Sequence, residues 1–159
     1  MGKRQLVTIL ALAVMSAPAL ADNLLILARP GNASFTSCAT ANIPLNPAGG
    51  IVFPFVNPVA GPVTITFTAE CAVAGPLPDQ SRWVSAVIFL DGTTACVPTS
   101  GLNALCSGNG TAALDGWVGA SVTCVRTLAA GAHTLRIQKV AGGGATSCWI
   151  SDTSTVVTR

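Results

Sequence analysis

The side chains that could do chemistry are few: one histidine, six acidic residues and six cysteines in a chain of 159 residues. A serine hydrolase would have to recruit His133, held by an acid such as Asp91 or Asp152, because an oriented imidazole is what takes the hydroxyl proton near neutral pH. No Gly-x-Ser-x-Gly elbow accompanies it, and His133 shares its parity with Leu135 and Ile137, as a residue at a sheet margin would. Glycoside cleavage needs two carboxyl groups facing each other across a cleft. The candidates are Asp22, Glu70, Asp79, Asp91, Asp115 and Asp152. Asp91-Gly92 and Asp115-Gly116 are turn dipeptides, and Asp79 sits in Pro76-Leu77-Pro78-Asp79, so these contexts speak for structure. The expectation is a protein that is not an enzyme, with hydrolysis as a third-ranked alternative.

Metal and cofactor chemistry are not expected. The cysteines form no Cys-x-x-Cys pair, the histidine is remote from any cysteine pair, and no Asp-x-Asp-x-Asp cluster offers calcium a cage. Gly142-Gly143-Gly144 is followed by neither Lys-Ser/Thr nor a helical pattern, so it is a turn rather than a phosphate cradle. Of the three tryptophans, Trp117 follows Asp115-Gly116 and is the candidate for stacking on a pyranose, with Asp115 and Asp91 as candidate partners for sugar hydroxyls. Trp83 is assigned to the core, and Trp149, beside Cys148, to covering a disulfide.

Residues 1–21 have the form of a bacterial export signal: Lys3 and Arg4, an apolar stretch over residues 6–15, Pro18, then Ala19-Leu20-Ala21 as the cleavage motif. Cleavage leaves one domain, residues 22–159, destined for the periplasm or the extracellular space. The apolar stretch is shorter than the roughly 20 residues that span a bilayer, so membrane insertion is not expected. Two of the eight basic residues lie in the leader, leaving six against six acids and a net charge of zero. Such a chain has no long-range attraction for phosphate backbones, which argues against nucleic acid as a partner. Only 9% of the residues are charged, so Thr, Ser, Asn, Gly and Pro must supply the wetted surface.

In an oxidising compartment, Cys38, Cys71, Cys96, Cys106, Cys124 and Cys148 are expected to form three disulfides. Cys96 with Cys106 is the favoured pair because both lie in one Gly/Ser/Asn/Pro-rich segment; closing so small a loop removes roughly 2.5 to 3 kcal/mol of unfolded-chain entropy. The other four are left unassigned, with Cys38 able to tie down the N-terminal loop.

The apolar period sets the fold class. Val63, Ile65, Phe67, Ala69 and Cys71 alternate without a fault against Thr64, Thr66, Thr68 and Glu70, which makes a half-buried strand. Residues 83–90 are apolar on both faces and suit a central strand, ended by Asp91-Gly92. Residues 117–128 and 133–140 alternate again and are expected to form a hairpin about Ala129-Ala130-Gly131. Residues 147–158 form a last strand, bent near Ser151-Asp152. Residues 24–29 and 51–56 are further strands, the second restricted to an edge or bulge by Pro54. No amphipathic helical pattern of useful length appears. The expectation is an all-β protein, a single antiparallel β-sandwich of jelly-roll type stapled by disulfides, interrupted by a long irregular loop over residues 92–115.

The string Leu128-Ala129-Ala130-Gly131-Ala132-His133-Thr134-Leu135-Arg136-Ile137 resembles the L-x-A-G-x-H-x-V-x-V strand of bacterial exported jelly-roll domains, among them relatives of C1q/TNF-like heads and carbohydrate-binding modules. Residues 83–92 are similar to the W-x-x-x-I-x-x-D-G strand and turn that precedes it, and the resemblance covers residues 83–157. It implies the sandwich scaffold and carries over no ligand residue. The functional expectation is an exported binding module that presents residues 92–115 to a glycan or a surface protein. The alternative is a self-associating structural component of the cell surface or extracellular matrix; the trimeric heads of the resembling class imply a homotrimer for it.

Overall fold

Burial follows the alternation over residues 63–71 without exception: Val63, Ile65, Phe67, Ala69 and Cys71 are all fully buried, while the threonines between them face outward. They belong to β5 (Gly61–Ala74), the longest strand of a protein whose computed structural model describes residues 22–31, 33–35, 37–76, 81–92, 94–96, 104–108 and 116–159. The expected leader, Asp79 and Asp115 lie outside the described residues. The other elements are β1 (Asn23–Arg29), β2 (Ala33–Phe35), β3 (Ala41–Asn42), β4 (Phe53–Asn57), β6 (Trp83–Leu90), β7 (Thr94–Ala95), β8 (Cys106–Ser107), β9 (Val118–Leu128), β10 (Gly131–Gly142) and β11 (Ser147–Thr158). No helix occurs among the described residues.

Two antiparallel sheets enclose one core. The first runs β1-β11-β5-β9, with β2 also on β11; the second runs β3-β10-β6-β7, with β4 also on β10 and β8 also on β6. Both short pairs are interrupted single strands. β3 and β4 lie end to end along β10, and β7 and β8 lie end to end along β6. The chain is therefore a long antiparallel hairpin, rolled up: β1 pairs β11, β4 pairs β10, β5 pairs β9, and β6 pairs β7 and β8. Its tip is the Asp91-Gly92 turn. Rolling brings β11 against β5 and β10 against β6, and the result is the jelly roll.

The core is the set of inward positions from both layers, including Phe55, Phe67, Val84, Ile88, Leu90, Leu135, Ile137, Ile150 and Val157. β11 keeps its inward face by means of a bulge: its register on β5 shifts between Ser151 and Ser154, and Asp152 takes φ 41°. Asp tolerates that left-handed conformation better than most side chains, and its Oδ1 accepts the Gly31 N–H at 2.7 Å. The bend expected at Ser151-Asp152 is this bulge. β4 pairs only with β10, the edge position that Pro54 demands.

Three expectations change. First, β9 and β10 are no hairpin: β9 bonds to β5 in one sheet and β10 to β4, β3 and β6 in the other. The Ala129-Ala130 turn is a corner between layers. Alternation reports which face of a strand is buried and says nothing of which strand it bonds. Second, residues 92–115 are not one irregular loop, because β7 and β8 lie within them. Third, Cys96 does not pair with Cys106. The disulfides are Cys38–Cys148, Cys71–Cys106 and Cys96–Cys124. Cys96 N bonds to Ile88 O, whereas Cys106 lies opposite Val84. Four residues of extended strand separate those anchors, about 13 Å, while a disulfide spans a Cα distance of about 4.4–6.8 Å. Both cysteines point inward and meet the opposite sheet instead.

Trp83, assigned above to the core, is half-buried on the outer face of its sheet. Its ring lies over Gly142, where a Cβ would stand 2.9 Å from Cζ2.

Candidate functional site

Two ends of the sandwich hold the side chains singled out above. At the tip of the rolled hairpin, antiparallel pairing of Leu90 with Leu135 places Asp91, just past β6, beside the start of β10. Asp91 takes φ 51° and closes a small ring with its neighbour strand: its N–H donates to Thr134 O at 3.0 Å, and its Oδ1 accepts the Thr134 N–H at 2.9 Å. Its Oδ2 lies 2.8 Å from His133 Nδ1. The other ring nitrogen, Nε2, lies 3.0 Å from Ala129 O in the β9–β10 turn. Phe55 of β4 packs a tilted ring against the imidazole, with centroids 5.7 Å apart.

Two more polar side chains tie this end together. Asn57, fully buried, donates from Nδ2 to Ala129 O at 2.9 Å and to Leu128 O at 3.4 Å. Arg136 lies over the Phe89 ring at 4.3 Å and donates to Gly92 O at 2.9 Å and to Asn42 Oδ1 at 2.8 Å.

The charges support one another. The hydrogen bond to Asp91 holds His133 above its ordinary 6.5; burial opposes the shift, and the Ala129 carbonyl and the Asp91 charge add to it. Desolvation alone would push Asp91 up from its ordinary 3.8, but the His133 and Thr134 hydrogen bonds and the charges of His133 and Arg126 hold it lower. The pair has the orienting half of a hydrolytic triad, an imidazole aligned by a carboxylate. Its Nε2, however, faces a backbone carbonyl. A hydroxyl nucleophile would have to displace Ala129 O to reach it, and Asp91 already has both oxygens in hydrogen bonds.

Trp117 lies elsewhere. It precedes β9, whose far end, Leu128, leads into the turn at Ala129; ten residue steps of extended strand separate the two, about 33 Å. The structure therefore does not bring Trp117 and Asp91 into one site, and Asp115 lies outside the described residues. Trp117 is 46% exposed and Val118 beside it 49%.

Between these ends runs one side of the sandwich. It carries β7 and β8 at the edge of one sheet and β9 at the edge of the other. Cys96–Cys124 and Cys71–Cys106 bridge the sheets there, and Arg126, on the inward parity of β9, donates to Ala95 O at 3.0 Å. The third disulfide, Cys38–Cys148, anchors the segment before β3 to β11.

Sequence reading missed Asn57, Arg126 and Lys139 because their roles depend on contacts far along the chain, and Arg82 because its partners are backbone carbonyls, which leave no mark in the residue types. Arg82 is wholly buried and donates to the Gly75 and Pro76 carbonyls at 3.3 and 3.1 Å. Lys139, also wholly buried, donates to Ser37 O, and burial holds its ammonium below the ordinary 10.5. A lysine so covered offers no approach to a substrate. Among the described residues, no three His, Cys, Asp or Glu side chains gather as metal ligands would, and no helix is long and apolar enough to cross a membrane. Three disulfides mark a chain that folds in an oxidising environment.

Fold and site thus define a disulfide-stapled jelly-roll sandwich with a bridged side. No family model matches the chain, and no curated protein does. Solved structures of infectious bursal disease virus are similar to it. The Gt strain aligns at TM-score 0.42 and 13% identity, over 96% of this chain and 36% of the viral one. The Gx strain aligns at 0.37 and 16%, over 92% and 36%. This chain spans well under two thirds of either viral chain, and the fold assignment rests on the strand order alone.

Proposed function

We propose that this is an exported, non-catalytic binding module whose contact region is the bridged side of the sandwich: residues 92–115 together with Trp117 at the start of β9. The observation that carries the proposal is the clamping of that segment at two points, Cys96 and Cys106, by disulfides to the opposite sheet. Anchors fixed in this way at Cys96 and Cys106 need no ordering when a ligand seats on them, which lowers the cost of binding. Trp117 stands exposed where the segment rejoins the sheet, and its indole suits a pyranose face. The ligand class is a glycan or a surface protein.

A glycan array probed with the wild type and with Trp117→Ala tests this. The variant loses less than about 1 kcal/mol of stability because the indole is half-exposed, so a lost signal reports contact. Equal signals from both proteins remove Trp117 from the site.

One observation favours a second reading, self-association. Among the described residues, β9 bonds only to β5, and its outward positions, Gly119, Ser121, Thr123, Val125 and Thr127, carry no charge. Lysine and proline, the usual guards of an open edge, are absent from the strand. Size-exclusion chromatography with light scattering separates the two: a stable dimer or trimer supports assembly, and a monomer leaves ligand binding ahead.

A further inference from the structure

His133 is the chain's one histidine, and both of its ring nitrogens face acceptors. Asp91 Oδ2 can only accept a hydrogen bond while ionised, and Ala129 O can only accept. A neutral imidazole has one N–H and one lone pair, so it can satisfy one of these partners but not both. Imidazolium, with two N–H groups, satisfies both at once. The two partners belong to different parts of the fold: Asp91 to the tip of the rolled hairpin, Ala129 to the corner where the chain passes from β9 in one sheet to β10 in the other.

We propose that His133 and Asp91 form a protonation-operated latch that fastens the hairpin tip to β10 and to the interlayer corner, closed while His133 is imidazolium and loosened when it is neutral.

When the proton leaves, the contact to keep is the charge-assisted one, Nδ1–H to Asp91. The contact that opens is Nε2 to Ala129 O. Asn57 then holds Ala129 O alone, and the corner loosens before the tip does. At the acid limit the order reverses. Protonation of Asp91 removes the charge that aligns His133 and weakens the acceptor for Thr134 N–H, so the tip loosens and is left to the Asp91 N–H and Arg136 bonds.

The charged groups around the pair are few. Asp91 comes from the β6–β7 turn, Arg126 from β9 acts on Asp91, and Arg136 from β10 holds Gly92 O. β4 contributes Phe55 and Asn57 but no charge, and the Ala129-Ala130-Gly131 corner has none. Of these groups, imidazole is the one whose ordinary range lies between mild acid and mild alkali, so the response there belongs to His133.

Linkage gives the direction. His133, raised above 6.5 in the folded state, contributes stability that is complete below the unfolded value and is lost as pH rises through the folded one. Asp91, held below 3.8, contributes stability present above that value and lost as pH falls through its folded value. The latch is shut between these limits. The proposal stands apart from what the bridged side binds.

Nuclear magnetic resonance of the single imidazole gives the test on the full exported domain. The expected titration midpoint lies above 6.5 in the wild type and moves down in Asp91→Asn, whose amide still accepts from Thr134 N–H but carries no charge. Amide exchange at Ala130 and Gly131, corrected for its intrinsic pH dependence, accelerates as pH rises through that midpoint, while amides at the centre of β5 do not respond. A wild-type midpoint at or below 6.5 overturns the proposal, as does exchange at the corner that ignores the titration. Because both decisive measurements use the wild type, the test survives even if Asp91→Asn fails to fold.

Discussion

Removing the Cys96–Cys124 bridge is the sharpest test of how the sandwich is closed. The bridge joins positions 28 residues apart, and on the chain-entropy relation its loss frees about 3.6 kcal/mol of unfolded-state entropy at 25 °C. The corresponding figures are about 3.8 kcal/mol for Cys71–Cys106, separated by 35, and about 4.8 for Cys38–Cys148, separated by 110. Both sulfurs of the first pair are buried, so alanine at both sites loses the staple without exposing a thiol. Cys96→Ala/Cys124→Ala is therefore expected to fold, with its unfolding free energy lowered by about 3–4 kcal/mol, or roughly 10–15 °C in Tm for a domain of this size. The single variant Cys96→Ala decides the connectivity. It leaves one orphaned cysteine, to be alkylated after unfolding without reductant and located by peptide mass spectrometry. The structure requires that cysteine to be Cys124. Alkylation of Cys106 instead would restore the short loop that its position in the sequence favoured, and the register of β7 and β8 along β6 would then be wrong.

Glycine substitutions separate conformational strain from collision. Gly49 has φ +82° with open space around a would-be Cβ, so Gly49→Ala should cost about 1–2 kcal/mol; Gly143 has φ +66° and a Cβ there would lie 1.8 Å from Ser81 O, so Gly143→Ala should cost roughly 3 kcal/mol or more, both read by chemical denaturation. Asn57→Ala removes the donor to two carbonyls at the interlayer corner and should cost about 1–3 kcal/mol. Asn57→Asp should be worse at neutral pH, where a carboxylate would face those same oxygens, and should recover as pH falls and the acid becomes a donor; a variant whose stability falls with acid in parallel with the wild type would count against that geometry. Phe67→Ala, at the fully buried centre of β5, should cost about 3–5 kcal/mol by the same assay.

Much of this architecture is legible in single strands. The alternation of β5, the bend at Asp152 and the turn at Asp91-Gly92 are all local, and burial and backbone angles agree with each, whereas the second apolar face of β6, Trp83, Val87 and Phe89, is only half-buried. What alternation cannot report is partnership. Ser121, Thr123 and Thr127 announce an outward face whether β9 lies beside β10 or beside β5. Sequence proximity suggests the hairpin, and the rolled topology chooses the distant strand. Cys96 and Cys106 stay apart for the same reason: their closeness in sequence is spent along the length of β6. Chemistry alone makes His133 and Asp91 possible members of a triad, and pairing of Leu90 with Leu135 does bring them together. The signal available was a turn acid just past one strand and a histidine just inside another of matching parity. Asn57 and Lys139 gave no such signal, because a buried polar side chain looks like a surface one until its partners are known.

A rolled hairpin has a mechanical weakness that explains where the covalent bonds lie. Each sheet ends in an open edge on the side where β7 and β8 lie across from β9, and the edge strands β7 and β8 are short. β7 pairs two residues with β6, and β8 two more. The hydrophobic core pulls the layers together without fixing how far they slide, since burial is not directional. Two disulfides and the Arg126 contact to Ala95 O cross between layers on this weak side and fix that slide. At the hairpin tip no cysteine is present, and the layers are joined instead by hydrogen bonds from Asn57 and His133 to the β9–β10 corner. One flank is thus held by bonds indifferent to pH, and the tip by bonds that respond to it. Between these two ends, movement that acid or mild alkali induces should begin at Asp91 and Ala129 and stop at Cys96.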